Sequence, residues 1–185
     1  MYIVVGLGNP GEEYVDTRHN TGRLALAYAE KKEPLGRRPA TGEAKGVKFV
    51  HLETFMNKSG AGVAKVIKSK KAAEKLVVIY DDLDLALGTM KVSYNRGSGG
   101  HRGLESIIKA LKTEAFIRIR IGISPSTPSG KLKKPQGEAK VEKAILSAFT
   151  PKEKEILKKV FKRVSETLEI LAEEGLQKAM TVGNS

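Results

Sequence analysis

The stretch that decides the fold is IVVGLGNPGEEYVDTRHNTG, residues 3 to 22. Its apolar start ends in Gly6-Leu7-Gly8-Asn9-Pro10-Gly11, which matches the G-x-G-x-x-G pattern of dinucleotide-binding turns. That pattern also requires a helix at the third glycine and an acidic residue at the end of the next parallel strand. Residues 12 to 20 have no sustained apolar face, and Glu30 falls inside a predicted helix. Since Pro10 also removes a backbone N–H from the turn, the sequence argues against a dinucleotide site. The glycines are expected to let the chain turn sharply at the end of the first strand.

Apolar runs and helical periodicity alternate along the rest of the chain and predict an α/β protein. We expect one domain over residues 1–185, with a twisted mixed β-sheet flanked by α-helices. Residues 89–94 follow the preceding strand too closely for a crossover helix and are predicted to pair antiparallel. The alternation Ile117-Arg118-Ile119-Arg120-Ile121 predicts a strand with one polar face. The predicted strands are 2–5, 47–52, 75–80, 89–94 and 116–123; the predicted helices are 24–29, 59–69, 101–111 and 151–174; the predicted loops are 33–46 and 124–137.

The composition points to a polyanionic partner. The chain has 33 Lys and Arg against 21 Asp and Glu, a net charge of +12. Short basic clusters at 37–38, 68–71 and 131–134 indicate patches on a folded surface, and they favour nucleic acid over a membrane. The absence of cysteine excludes disulfides and a cysteine nucleophile. No apolar run is long enough to span a bilayer, and a strand begins almost at the first residue, so we expect no signal peptide and a cytoplasmic location.

Polar side chains follow three of the predicted strands. Asn9 and His19 lie after the first strand, residues 54–60 follow the second, and Asp81 ends the third. A fourth group is the glycine-rich segment 95–103, which leads into a helix. If the first three strands are parallel, the first three groups share one edge of the sheet, where ligands bind in open α/β folds.

These segments together resemble bacterial peptidyl-tRNA hydrolase over nearly the whole chain. The matching stretches are GLGNPG-x-x-Y-x-x-T-R-H-N-x-G at 6–22, TFMN-x-SG at 54–60, YDDLDL-x-x-G at 80–88, GSGGH-x-G-L-x-S-I at 97–107, RIRIGI at 118–123 and GLQKAM at 175–180. The resemblance implies hydrolysis of the ester that joins a peptide to the 3′-terminal ribose of tRNA. It implies a water activated by the protein, without metal, cofactor or covalent intermediate, in a monomer whose partner is tRNA.

The resemblance also assigns roles to particular residues. His19 is implied to be the general base, a role for which an imidazole with a reference pKa of ~6.5 is suited. Asp81 is implied to hold His19 through its other ring nitrogen. Asn9 is implied to sense the first peptide amide, and Asn57 to lie near the peptide and the terminal adenosine.

Two aromatic residues, two departures from the family pattern and one further match complete the expected site. Tyr14 and Phe55 are expected to stack or pack near the substrate end. Arg102 stands where the family most often has asparagine, which leaves the positioning of water open because arginine has no acceptor. Ser93 stands where many relatives have a lysine thought to bind the 5′ phosphate of tRNA. Arg120 matches the partner arginine of that lysine.

Lys91 or Arg96 is the candidate to replace the charge that Ser93 does not supply. A metal site is not predicted, because the three histidines, at 19, 51 and 101, lie on separate segments. Neither a G-x-S-x-G elbow nor a G-x-x-x-x-G-K-[ST] loop is present. The alternative is a non-catalytic RNA-binding relative of the same fold, such as the plastid splicing factors. The retention of Asn9, His19, Asn57 and Asp81 argues against it.

Overall fold

The computed structural model describes residues 1–31 and 46–185. Its five-stranded sheet has the order β2-β1-β3-β5-β4. Strands β1, β2, β3 and β5 are parallel, and β4 pairs antiparallel with β5. The predicted mixed sheet is confirmed, and the condition that the first three strands are parallel is met. Residues 89–94 pair antiparallel as predicted, but their partner is β5 and not the preceding strand β3. The strands are β1 (Tyr2–Gly6), β2 (Val47–Val50), β3 (Leu76–Ala86), β4 (Met90–Tyr94) and β5 (Ile117–Ser124).

Helices cover both faces of this sheet, as the sequence predicted. They are α1 (Thr21–Lys31), α2 (Ser59–Ala64), α3 (Lys70–Ala73), α4 (Arg102–Leu111), α5 (Glu138–Ile145), α6 (Pro151–Glu174) and α7 (Leu176–Gly183). On one face, α1, α6 and α7 pack on side chains such as Val77 and Ile79. On the other face, α2 and α4 pack on Val78 and Tyr80. Within the described ranges, no helix is long and apolar enough to cross a membrane.

The bounds of α6 agree with the prediction because its start is well defined by local chemistry. Thr150 accepts a hydrogen bond from the backbone N–H of Glu153, and the Glu153 side chain accepts one from the N–H of Thr150. This reciprocal pair is a capping box, and Pro151 occupies the first turn, where its missing N–H costs no intrahelical bond.

Three predictions of local structure are corrected. The polar face predicted for residues 116–123 is present and carries Arg118 and Arg120, but it is not open to solvent throughout, since Arg118 is fully buried. Nη1 and Nη2 of its guanidinium donate to the carbonyls of Glu114, Phe116 and Arg96, so a strand covered on both faces accommodates it. The predicted helix 59–69 ends at Ala64, and the short α3 follows it. Strand β3 continues through Asp81 to residue 86, whereas the prediction ended it at 80. The predicted loop 33–46 and the basic pair 37–38 lie, apart from residue 46, outside the described residues.

The glycines of the opening stretch do not form a dinucleotide-binding turn. The first α-helix begins at Thr21, not at Gly11, and 3-10 turns at Glu12–Tyr14 and Arg18–Asn20 lie between. A Cβ at Gly6 would lie 2.2 Å from the carbonyl oxygen of Gly22, and a Cβ at Gly22 would lie 2.2 Å from that of Ile79. These glycines therefore let the start of α1 approach β1 and β3 at backbone contact, which brings the Arg18–Asn20 turn close to the sheet.

Strand β4 lies at one edge of the sheet and has a side chain as its outer neighbour. The N–H of Val92 donates to Oδ1 of Asn184 at 2.7 Å, and Nδ2 of Asn184 donates to the carbonyl of Val92 at 3.0 Å. The Asn184 amide thus satisfies the outward-facing backbone groups of Val92 as an adjacent strand would.

Candidate active site

A buried histidine–aspartate pair lies at the edge where the parallel strands end. Nδ1 of His19 lies 2.8 Å from Oδ2 and 3.0 Å from Oδ1 of Asp81. His19 comes from the 3-10 turn before α1, and Asp81 comes from β3. Both side chains are nearly inaccessible to solvent. The close packing of α1 on the sheet brings together two residues 62 positions apart in sequence.

A second histidine contacts the same carboxylate. Nε2 of His101 lies 2.9 Å from Oδ1 of Asp81, and the rings of His101 and His19 are tilted with their centroids 5.0 Å apart. His101 is the N-cap of α4, where its Nδ1 accepts from the N–H of Leu104 at 3.4 Å. The cap fixes the imidazole beside the sheet edge, so Asp81 bridges two histidines that the sequence places on separate segments.

The protonation of this cluster follows from its charges. Burial alone would raise the pKa of Asp81, but the two imidazoles outweigh it and hold the pKa well below its ordinary value. An ionised carboxylate only accepts hydrogen bonds, so both histidines donate to it. His19 therefore donates from Nδ1, which leaves its Nε2 with a lone pair, and His101 donates from Nε2.

The same three residues are the group that could hold a metal ion, with ligand atoms all within 4.8 Å of one another. A cation bound by His19 Nδ1 and His101 Nε2 would have to replace both N–H protons donated to Asp81. The donor set fits a hydrogen-bonded triad, and the sequence prediction of no metal stays a prediction. The premise of that prediction needs correction, since the fold brings two of the three histidines together.

The amide of Asn9 has a fixed orientation next to His19. Its Oδ1 accepts from the N–H of Met56 at 2.8 Å, so its Nδ2 is left as a donor. The buried Asn20 holds the Asn9 backbone on both sides: Oδ1 accepts from its N–H at 2.8 Å, and Nδ2 donates to its carbonyl at 2.9 Å. Asn20 is a positioning residue that the predicted site did not include.

A cavity of about 420 Å³ opens beside His19 and Asn9. The predicted residues Tyr14, Phe55 and Asn57 line it. The two aromatic rings meet edge to face with centroids 6.4 Å apart, and Phe55 is half exposed. The remaining lining residues are Met56, Lys58, Arg102, Glu142, Ile145 and Leu146.

Arg102 lines this cavity but its guanidinium faces an acidic residue on α5. Nη2 of Arg102 lies 2.9 Å from Oε1 of Glu138, and both side chains are largely exposed. Since α5 also supplies Val141, Glu142 and Ile145 to the cavity walls around His19, this ion pair joins the start of α4 to a helix that borders the site. The sequence did not predict α5 as part of the site, because no motif of the resemblance falls on it.

The turn that carries His19 is anchored from the opposite side. Arg18 donates two hydrogen bonds of 2.9 Å to Glu153, and its guanidinium lies 4.7 Å from the centre of the Phe149 ring. Burial would raise the pKa of Glu153, but hydrogen bonds from Thr150 and Arg18 lower it below its ordinary value. The first turn of α6 thus fixes the position of Arg18, the residue next to His19.

A second cavity, of about 300 Å³, lies over β3, β5 and β4 and has a net positive lining, with four cationic side chains against Asp81, Asp82 and Asp84. Arg120 donates from Nε to Oδ2 of Asp82 at 2.7 Å, and this bond raises the pKa of Arg120 although burial opposes it. Arg96, Arg118 and Lys134 also line the cavity, together with His101 and Ser93.

Ser93 does not replace the charge of the expected lysine. It lies opposite Arg118 in the β4–β5 register. Its buried hydroxyl and Nε of Arg118 have no hydrogen-bond partner among the described residues. Of the two residues expected to supply the missing charge, Arg96 lines this cavity, and Lys91 is not among its lining residues.

The geometry defines a class of protein before any comparison: an α/β protein whose sheet edge presents a buried histidine–aspartate pair, a fixed amide donor and a cationic cavity. The family model described as peptidyl-tRNA hydrolase matches residues 3–185. A peptidyl-tRNA hydrolase of Syntrophotalea carbinolica is 39% identical over 195 residues, which cover 100% of this chain and 97% of the relative. One of Thermodesulfovibrio yellowstonii is 35% identical, with 100% and 99% covered.

A crystal structure of peptidyl-tRNA hydrolase from Acinetobacter baumannii superposes with a TM-score of 0.82 at 26% identity, covering 100% of this chain and 95% of that one. The chain belongs to the peptidyl-tRNA hydrolase family. The resemblance inferred from the sequence motifs is confirmed.

Proposed function

We propose that this chain hydrolyses the ester between a peptide and the 3′-terminal ribose of tRNA, and that His19 activates the attacking water. The observation that carries the proposal is the state of His19: its Nδ1 is held by an ionised Asp81, and its Nε2 is left as an acceptor beside the cavity. One chain supplies every residue in the scheme, so we propose a monomer, acting in the cytoplasm, where peptidyl-tRNA forms.

In the first step, His19 Nε2 takes a proton from water as the oxygen attacks the ester carbonyl. The imidazolium that forms is stabilised by the neighbouring Asp81 carboxylate. A positioned base of this kind contributes roughly 10²- to 10⁴-fold to the rate. The donor Nδ2 of Asn9 is the side-chain group next to His19 suited to the negative oxygen of the tetrahedral intermediate.

In the second step, the tetrahedral intermediate collapses and the bond to the ribose oxygen breaks. The proton on His19 Nε2 moves to that leaving oxygen, which yields free tRNA and a peptide carboxylic acid that ionises in water. The side chains of Asn57, Tyr14 and Phe55 surround the cavity in which the acyl group and the terminal nucleotide meet. An exposed aromatic such as Phe55 offers a face on which a base stacks.

The tRNA backbone requires a separate binding surface, and the cationic cavity supplies one. Arg120, Arg96 and Lys134 surround it, and Asp82 holds the Arg120 guanidinium in place. Burial raises the pKa of Tyr80 to about 12, with a contribution from Asp82, so the phenol in this cavity stays neutral. The net positive lining favours phosphate groups.

The test is a turnover assay on one peptidyl-tRNA with wild type, His19→Ala and, as a matched control, His51→Ala. His51 is exposed and pairs with Glu30 away from the site. We expect His19→Ala to reduce kcat by at least about 10²-fold with tRNA binding retained, and His51→Ala to match wild type.

Activity of His19→Ala within a few fold of wild type would remove His19 from the role of base. A wild-type chain that binds tRNA but never cleaves peptidyl-tRNA would instead favour the non-catalytic RNA-binding alternative.

A further inference from the structure

Two open surfaces leave the His19 cavity in different directions. The cationic cavity lies over β3, β5 and β4 and includes His101. A groove of about 760 Å³ lies between α2 and α4 and shares Asn57, Lys58 and Arg102 with the His19 cavity. The substrate of the proposed reaction also has two arms, the polyanionic tRNA and the peptide. Because the cationic cavity suits the phosphates of tRNA, the groove is the remaining surface for the peptide.

The groove has small residues at its base. Its floor is formed by the small residues Ala61 and Ala110, where α2 and α4 touch at backbone distance: Gly60 donates its N–H to Oγ of Ser106 at 2.9 Å. A Cβ at Gly60 would lie 2.0 Å from the carbonyl oxygen of Ser106. A shallow apolar floor accepts varied peptide side chains, so selectivity must come from the rim.

The rim carries an excess of positive charge. Lys58, Arg102 and Lys109 line it together with one acid, Glu105. Arg102 is already paired with Glu138. In the part of the chain that the structure describes, Lys58 and Lys109 have no ion-pair partner within 4.0 Å, and both are exposed. The charge available to a bound peptide is therefore that of the two lysines.

The geometry of α4 indicates which residue of a bound peptide would lie opposite Lys109. Arg102 and Lys109 are separated by seven residues of α4, or about 10 Å along its axis. About three residues of extended peptide span the same length. Since Arg102 stands at the His19 cavity, Lys109 faces the peptide about three residues before the esterified amino acid.

We infer that the α2–α4 groove binds the peptide arm and that Lys109, with Lys58, makes the enzyme prefer peptides with an acidic side chain about three residues upstream of the ester. This inference rests on the proposed function, and it adds a preference among peptides to it. The preference is modest, because exposed ion pairs contribute little each and are screened by salt.

The test compares three substrates on one tRNA: acetyl-X-Ala-Ala-Ala-tRNA with X as Glu, Gln or Lys. At low ionic strength we expect kcat/KM for Glu to exceed that for Lys by about two- to fivefold, with Gln between, as one exposed ion pair predicts. Lys109→Glu is expected to invert this order. The ratio should approach one in about 0.5 M salt, where the Debye length is only a few ångströms.

Lys65→Glu is the matched control, because Lys65 is exposed at the end of α2, outside the groove lining, and the charge change is the same. We expect it to leave the Glu-to-Lys ratio as in wild type. A wild-type ratio of one, or a ratio that Lys109→Glu leaves unchanged, overturns the inference while hydrolysis itself continues. Failure to hydrolyse all three substrates would instead count against the proposed function.

Discussion

Asp81 and Asp82 are adjacent on β3, yet they serve two different environments. Successive side chains of a strand point to opposite faces, so the two carboxylates meet different partners. Asp81 accepts hydrogen bonds from the imidazoles of His19 and His101, a kind of group that serves as general acid or base in enzymes. Asp82 accepts from Arg120, a cation at every working pH. In the proposed reaction Asp81 thus holds the base, whereas Asp82 holds a fixed positive charge, although both carboxylates border the cationic cavity.

The comparison predicts different roles for the residues around Asp81 and the residues around Asp82, and experiments can test this difference. If it holds, changes around Asp81 act on kcat and its pH dependence, whereas changes around Asp82 act on KM and its salt dependence. Effects of both kinds from one substitution would show that the cavities are coupled.

The largest effect is expected from Asp81→Asn. The negative charge that stabilises the imidazolium is lost, so we expect kcat to fall by at least about 10²-fold. The acidic limb of kcat/KM against pH should also move to lower pH, because a neighbouring negative charge no longer favours the protonated imidazole. A pH–rate profile with an unmoved limb would reject the pairing.

Urea unfolding of the same variant adds an independent check. A carboxyl whose pKa is lowered in the folded state stabilises the fold fully above its unfolded pKa of ~3.9 and loses that contribution as pH falls below it. The difference in free energy of unfolding between wild type and Asp81→Asn should therefore be largest at neutral pH and shrink below about pH 4.

An intermediate effect is expected from His101, which we interpret as a positioning residue for Asp81. His101→Ala removes one of the two donors to this buried carboxylate, and we expect kcat to fall about tenfold, the size of one such hydrogen bond. His101→Gln keeps an N–H donor and should recover most of the loss. If both variants behave alike, the hydrogen bond to Asp81 is not the reason for the effect.

The smallest effect on turnover is expected in the cationic cavity. Arg120→Ala should raise KM several fold and leave kcat within about twofold, since a phosphate contact is lost equally in ground and transition states. The slope of log K against log salt for tRNA binding should flatten by about one unit. A Lys91→Ala control, at the residue paired with Arg120 in the β4–β5 register, tests whether any lost cation does the same. A fall in kcat with unchanged KM would contradict the prediction that Arg120 contributes to binding and not to the chemical step.

Local rules predicted that His19 and Asp81 lie at one edge of the sheet, whereas their pairing was implied by the resemblance to the family. The carboxyl ends of parallel strands lie at one edge of the sheet. Glycine is required at positions 6 and 22 because the neighbouring backbone there is too close for a side chain. These features are readable as short apolar runs followed by polar residues.

Other features depend on contacts between distant segments, which no local pattern records. His101 meets Asp81 only because the chain before it passes through left-handed conformations at Asn95, Gly99 and Gly100. The burial of Arg118 depends on carbonyls that the chain places around it, including that of Arg96 on the neighbouring loop. The ion pair between Arg102 and Glu138 requires α5, whose position cannot be read from either residue.

The amide of Asn184 on strand β4 has a consequence for how copies of this chain behave in concentrated solution. An open strand edge invites the edge of another molecule to pair with it, which is a route to aggregation. With the outward groups of Val92 occupied by Asn184, the centre of β4 offers no free donor or acceptor to a second sheet. A single side chain thus makes the β4 edge of the sheet a poor template for a further strand.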